Sequence, residues 1–213
     1  MPDNAAMRIG SLILAGGRSV RMGQPKELLP FDGQPLLTRI AGTLAAATKP
    51  VVVVARGGDQ RLPPLPDGVH VVADEQPDGG PLWGLCTGLR FVRSRGLLVD
   101  EDAVFVTGCD APFVRGTFAA WLAAQMGDAM AVVPEVGGEL QPLCACYRVG
   151  VLPAVEDLLA HDGRSPRALA TAVPTRILAE AEFAASDAGL LSVENVNTPD
   201  EYQRALRTAP RSP

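Results

Sequence analysis

The densest chemistry in the chain lies between residues 12 and 37, LILAGGRSVRMGQPKELLPFDGQPLL. An apolar run, Leu12 to Ala15, breaks into Gly16 and Gly17, and Arg18, Arg21 and Lys26 follow with Gly23 among them. A buried strand that ends in a glycine-rich, basic loop is how an α/β protein builds a phosphate site. Glycine lets the backbone come close to the ligand, while free N–H groups and cations face the anion. The spacing is not the dinucleotide pattern G-x-G-x-x-G. Nor is it a Walker A loop, because Lys26 follows Pro25 and Glu27 stands where Ser or Thr is needed. Arg21 and Lys26 are the candidate phosphate clamps, the guanidinium gripping two oxygens and the ammonium supplying a compact charge. The role of Arg18 stays open.

A carboxylate of the right kind comes later, Asp110 in Val-Phe-Val-Thr-Gly-Cys-Asp-Ala-Pro from residue 104. It follows an apolar strand and precedes a proline. A magnesium–nucleotide complex needs a hard anionic oxygen there. Capping the next helix is the alternative, but Asp110 sits early for a helix starting near Arg115. Asp74 opens a second acidic, glycine-rich segment, DEQPDGGPLWG, in which Glu75 and Asp78 read as solvated loop charges.

These residues need a scaffold, and the hydrophobic pattern supplies one. It predicts strands over 8–14, 51–55, 69–73, 103–107, 129–134, 140–148, 175–178 and 192–195. Helices are expected over 34–47, 81–95, 115–126, 151–161, 165–171 and 199–207. The all-apolar VVVV run at residue 51 suits a strand covered on both faces. Glu135-Val-Gly-Gly-Glu139 suggests an antiparallel hairpin. The sum is one α/β domain over 1–213, with a core over about 8–207 and loose termini. It is Rossmann-like, doubly wound and mostly parallel, with a small antiparallel part. In such sheets ligands sit beyond the carboxyl ends of the strands. Gly16–Gly17, Asp74 and Asp110 all fall there.

Together, L-A-G-G-x-x-x-R-M-G-x-x-K-x-L-L and the C-D-x-P around Asp110 resemble the nucleotidyltransferases of molybdenum cofactor maturation, nearest the guanylyltransferase branch. The resemblance runs from Leu12 to about Leu206. It implies a sheet of the nucleotide-diphospho-sugar transferase type and a nucleotide site of Leu14, Ala15, Gly16, Gly17, Arg21, Gly23, Lys26, Asp74, Gly80, Pro81, Gly84 and Asp110. Arg21, Lys26 and Asp110 would be catalytic, and Asp110 would hold magnesium. Asn195-Val-Asn-Thr-Pro resembles the closing N-x-N-T-P motif. It puts Asn195 or Asn197 into the metal or phosphate shell, with helix capping the rival for Asn197. Gln141, Pro142, Leu143 and Asn197 are the candidates for the acceptor pocket, although 139–148 also reads as an ordinary amphipathic strand. Trp83 stands where the family usually has a small residue, and stacking on a ligand and simple packing stay equally open. Arg56 stands where it often has an asparagine.

The implied reaction moves GMP from GTP to the phosphate of molybdenum-molybdopterin. The alternatives are a cytidylyltransferase for the same pterin, a sugar-phosphate nucleotidyltransferase, or a non-catalytic nucleotide or cofactor carrier. Implied partners are GTP, the molybdenum cofactor, and cofactor insertion proteins or molybdoenzymes. Composition narrows the rest. A net charge of −5 and pI near 5.1 argue against sequence-independent nucleic-acid binding. No apolar run approaches the ~20 residues of a membrane span. The opening MPDNAAMRIG has no apolar signal core, so a cytoplasmic protein is expected. Cys86, Cys109, Cys144 and Cys146 form no CxxC pair and, with only His70 and His161, suggest buried thiols rather than zinc ligands.

Overall fold

The computed structural model describes residues 7–17, 21–163 and 165–208. Arg18 and the last five residues therefore lie outside the described residues. The centre is a parallel trio. Strand β1 (Ile9–Ala15) pairs with β4 (Val51–Ala55) on one side and with β6 (Ala103–Gly108) on the other. Beyond β4 lies β5 (Val69–Ala73), a half-exposed edge strand. Beyond β6 lies β9 (Cys144–Arg148), antiparallel to it, then β7 (Ala131–Val136) and the far edge β10 (Thr175–Ala179). The order is β10-β7-β9-β6-β1-β4-β5, with β8 (Glu139–Leu140) added on β7.

Helices cover both faces, as a parallel sheet requires. One core lies beneath α1 (Leu36–Ala45) and α3 (Gly116–Ala124), and includes Ile13, Val53, Phe105 and Phe118. The other lies beneath α2 (Pro81–Ser94), α4 (Leu152–Ala160) and α5 (Pro166–Ala172), and includes Leu12, Val52, Val104 and Tyr147. Strand alternation divides the trio between these cores: Leu12 faces one and Ile13 the other. A short α6 (Glu180–Phe183) and α7 (Pro199–Thr208) complete the chain. Among the described residues, no helix is long and apolar enough to cross a membrane. All four cysteines are buried and free.

Three segments differ from the sequence expectation. Gln34 and Pro35 do not open the first helix; they form β3 (Gln34–Pro35), paired with β2 (Pro30–Phe31) across Asp32-Gly33. Both turn residues have positive φ, 50° and 79°, which is the Asp-Gly hairpin geometry. Residues 140–148 are not one strand. Pro142 brings no N–H to a ladder, and Cys144 N–H donates to the Gln141 carbonyl, so the chain turns between β8 and β9. Residues 192–195 are not a strand either. A 3₁₀ turn, Ala188–Val193, precedes an irregular stretch, pinned where the fully buried Asp187 accepts from the Ser192 N–H and hydroxyl.

The packing of α2 on β1 leaves no slack. A Cβ at Gly88 would lie 2.7 Å from Leu12 Cδ1, in a side chain that is fully buried. Gly88→Ala is expected to destabilise the fold by about 1–3 kcal/mol through overpacking. Leu12→Ala should cost about 2–5 kcal/mol by leaving a cavity. Because the two errors are complementary, the double variant should lose less than the sum of the singles. Urea denaturation of the three variants measures this.

Candidate active site

The loop after β1 and the loop after β6 meet at the carboxyl edge of the sheet. Cys109 N–H donates to the Leu14 carbonyl at 3.0 Å, carrying the strand pairing one step past the end of β6. Lys26, in a 3₁₀ turn (Lys26–Leu28), reaches back across this junction. Its Nζ lies 2.7 Å from Asp110 Oδ2 and 2.8 Å from Asn197 Oδ1. Both partners of the ion pair are largely shielded, with side chains 14% and 22% exposed.

Each member of this group is placed by its backbone. Asp110 depends on Gly108: a Cβ there would lie 2.3 Å from Asp110 Oδ1. Asn197 is delivered because Val196 N–H donates to the Asp110 carbonyl at 2.8 Å. Its side chain is not the cap of α7. Thr198 and Glu201 form a reciprocal cap, the Thr198 hydroxyl accepting from Glu201 N–H and the Glu201 carboxylate accepting from the N–H groups of Asn197 and Thr198. Those hydrogen bonds from Asn197 and Thr198 hold the Glu201 carboxyl below its ordinary value. Asn197 is thereby left to face Lys26.

The cleft has a volume of about 470 Å³. Leu14, Gly16, Gly17, Arg21, Lys26, Asp74, Gly80, Pro81, Gly84 and Asp110 line it, together with Leu143 and Asn197. Other expected residues stand outside the lining. Ala15 is buried with its carbonyl bound by Gln60, and Gly23 makes a positive-φ turn, at 72°. Gln141 and Pro142 belong to the turn before β9, where the Pro142 carbonyl accepts from the Tyr147 hydroxyl. Asn195 is exposed, so of the two asparagines it is Asn197 that reaches the cleft. Trp83 lines a neighbouring depression, its ring so close to Gly79 that a Cβ there would lie 2.4 Å from Cδ1. Arg56 turns toward Asp59. Sequence reasoning missed Val54, Asp78, Gly108 and Cys109 as lining residues. Val54, Gly108 and Cys109 sit at or next to strand ends, the signal that could have found them, whereas Asp78, read as a solvated loop charge, lies in the loop before α2.

Asp74 forms the other polar wall. Thr87 Oγ1 donates to Asp74 Oδ1 at 3.1 Å and Gln76 N–H binds the same oxygen at 3.2 Å. Oδ2 lies toward the glycines, 3.7 Å from where a Cβ of Gly84 would stand. A Cβ at residue 84 would press first on Leu14 Cδ2, at 3.3 Å, and meet the carboxylate only at ordinary contact distance. Among the described residues, no group of three or more His, Cys, Asp or Glu side chains is arranged to hold a metal ion. Asp110 and Asn197 set a carboxylate oxygen and an amide oxygen beside Lys26.

Known proteins resemble this chain over most of its length. Residues 11–177 match the model of the MobA-like NTP transferase domain. The chain belongs to the MobA-like NTP transferase family. A molybdenum cofactor guanylyltransferase of Cereibacter sphaeroides is 35% identical over 202 residues, covering 93% of this chain and 96% of that protein. A probable molybdenum cofactor guanylyltransferase of Carboxydothermus hydrogenoformans is 30% identical, covering 92% and 93%. The fold of this MobA-like chain is also that of molybdopterin-guanine dinucleotide biosynthesis protein A from Archaeoglobus fulgidus. The TM-score is 0.75 at 19% identity, covering 93% of this chain and 97% of that one.

Burial pushes the Asp74 carboxyl above its ordinary value of 3.8, against the hydrogen bonds from Gln76 and Thr87. A raised acid keeps its proton in the folded chain after the unfolded chain has released it. Its contribution to stability is therefore greatest at low pH and falls as pH rises through the folded value. Asp74→Asn should flatten this part of the stability curve, which urea denaturation between about pH 4 and about pH 7 would detect.

Proposed function

We propose that this chain transfers GMP from GTP to the phosphate of molybdenum-molybdopterin, with magnesium at Asp110. The observation that carries the reading is the meeting of Lys26, Asp110 and Asn197 beside the Gly16–Gly17 loop. The likeness to guanylyltransferases over nearly the whole chain supports the choice of donor and acceptor. The donor set fits magnesium. This ion binds through one or two carboxylates plus substrate phosphates and waters, and the glycine-loop side of the cleft offers the Asp110 carboxylate with the Asn197 amide oxygen near it. Magnesium bound there supplies charge neutralisation for the triphosphate.

The chemistry asks little of acids and bases. The acceptor phosphate is already anionic at neutral pH, so one of its oxygens attacks the α-phosphorus without losing a proton first. The bond from that phosphorus to the bridging oxygen breaks, and pyrophosphate leaves with the electron pair. The difficulty is electrostatic, because two polyanions must approach in line. Lys26 and Arg21 meet that demand with positive charge, and the N–H groups of the glycine loop offer fixed dipoles. Asp110 and Asn197 hold the Lys26 ammonium where the triphosphate enters, and the ammonium turns to phosphate oxygens as the nucleotide arrives. On the far wall, Thr87 fixes Asp74 so that its second oxygen accepts hydrogen bonds from the nucleoside. Leu143 supplies apolar surface on the acceptor side.

Calorimetry with GTP, CTP, ATP and UTP in magnesium, followed by assay of pyrophosphate release on adding acceptor, tests the reading. GTP should bind selectively. Asp110→Ala should lower turnover by about 10²-fold or more while the melting temperature moves little, as expected for a group that acts on developing charge. A folded Asp110→Ala protein with normal turnover would sink the assignment, and selective CTP binding would move it to the cytidylyl branch. Gly108→Ala should mimic the Asp110 defect, because the added methyl displaces the carboxylate without removing it.

A further inference from the structure

The loop after β4 enters the site by a route that the transfer chemistry leaves unused. Its Gly57–Gly58 turn has positive φ at both glycines, 81° and 64°, and returns Gln60 toward β1. Gln60 Oε1 accepts from the Arg56 N–H at 2.7 Å, which fixes the amide's orientation. Gln60 Nε2 then donates twice, to the Ala15 carbonyl at 2.6 Å and to Glu27 Oε1 at 2.7 Å. Ala15 immediately precedes Gly16–Gly17, and Glu27 immediately follows Lys26. One side-chain amide thus ties the two ends of the phosphate loop together.

Glu27 makes this tie demanding. It is only 4% exposed, and a buried carboxylate must keep its donors or be reopened to water. Glu27 is the chain neighbour of Lys26, so movement of residue 27 would carry Lys26 away from Asp110. We propose that Gln60 is a positioning residue that closes the phosphate loop through Ala15 and Glu27, holding Lys26 and the glycine amides in register with Asp110. Gln60 is not among the residues lining the cleft, so it acts through its partners. The inference rests on the nucleotide-transfer reading for its kinetic consequence, though not for the geometry.

The test compares the parent chain with Gln60→Ala, Gln60→Glu and the exchange Gln60→Glu/Glu27→Gln. Gln60→Glu keeps the acceptor for Arg56 N–H but sets a carboxylate against Glu27. It should lower kcat/KM for GTP with magnesium by about 10- to 100-fold, the scale set by small misplacements at a reacting centre. The exchange restores a donor and an acceptor between positions 60 and 27. It should recover activity at least several-fold over Gln60→Glu alone, a coupling that two independent structural defects would not show. Unchanged kcat/KM in Gln60→Ala, a loss confined to melting temperature, or no recovery in the exchange would each overturn the proposal. A parent chain that transfers no nucleotide would strike the proposed function instead. Hydrogen exchange then decides: faster exchange at Gly16, Gly17 and residues 26–29 in Gln60→Ala supports the clamp, and unchanged exchange refutes it.

Discussion

The parallel pairing of β1 with β6 is the constraint on which the rest of the site depends. Its register sets Leu14 beside Gly108, and the Cys109 N–H extends it to the Leu14 carbonyl. Two loops that are about ninety residues apart in sequence therefore leave the sheet side by side. One carries the glycines and Lys26; the other carries Asp110. Slippage by one residue would turn each side chain to the opposite face of the sheet and part the ammonium from the carboxylate. The two-sided core resists that slip, because Leu12 and Ile13 are both fully buried on opposite faces.

The same edge solves an electrostatic problem within an acidic chain. A protein of net charge −5 must receive a polyanion, and where its strands end the cleft sets Arg21 and Lys26 among the carboxylates of Asp74, Asp78 and Asp110. Lys26 is not left bare there: Asp110 and Asn197 hold it in a partly shielded position. Glycine recurs for a steric reason as well as a conformational one. Gly108 makes room for Asp110, and Gly88 makes room for Leu12. The far C-terminal segment adds the last part, since Val196 binds the backbone of Asp110 and thereby carries Asn197 into the cleft.

Much of this was legible in the residues. The apolar run into Gly16–Gly17 announced a strand and its loop, and VVVV announced a strand buried on both faces. Asp74 and Asp110 were found because strand ends are where such sheets bind ligands. The errors were local competitions. Asp32-Gly33 formed a hairpin that displaced the start of the first helix, and the Asp-Gly pair is its signal in the sequence. Pro142 broke an apparently continuous strand. Asp187, buried with Ser192, converted an apolar stretch into a 3₁₀ turn.

The sequence by itself determined the strands of the central parallel trio, most of the helices, and which family the chain joins. Those properties depend on neighbours within a few residues, where periodicity, glycine and charge act directly. Only the tertiary structure decided that Asn197 rather than Asn195 reaches the cleft, that Trp83 packs on Gly79, and that Gln60 spans Ala15 and Glu27. Each of those outcomes depends on a contact between separate elements or on a local cap such as Thr198–Glu201 that redirects a side chain. Spacing along the chain carries no distance for such contacts; the packed sheet does.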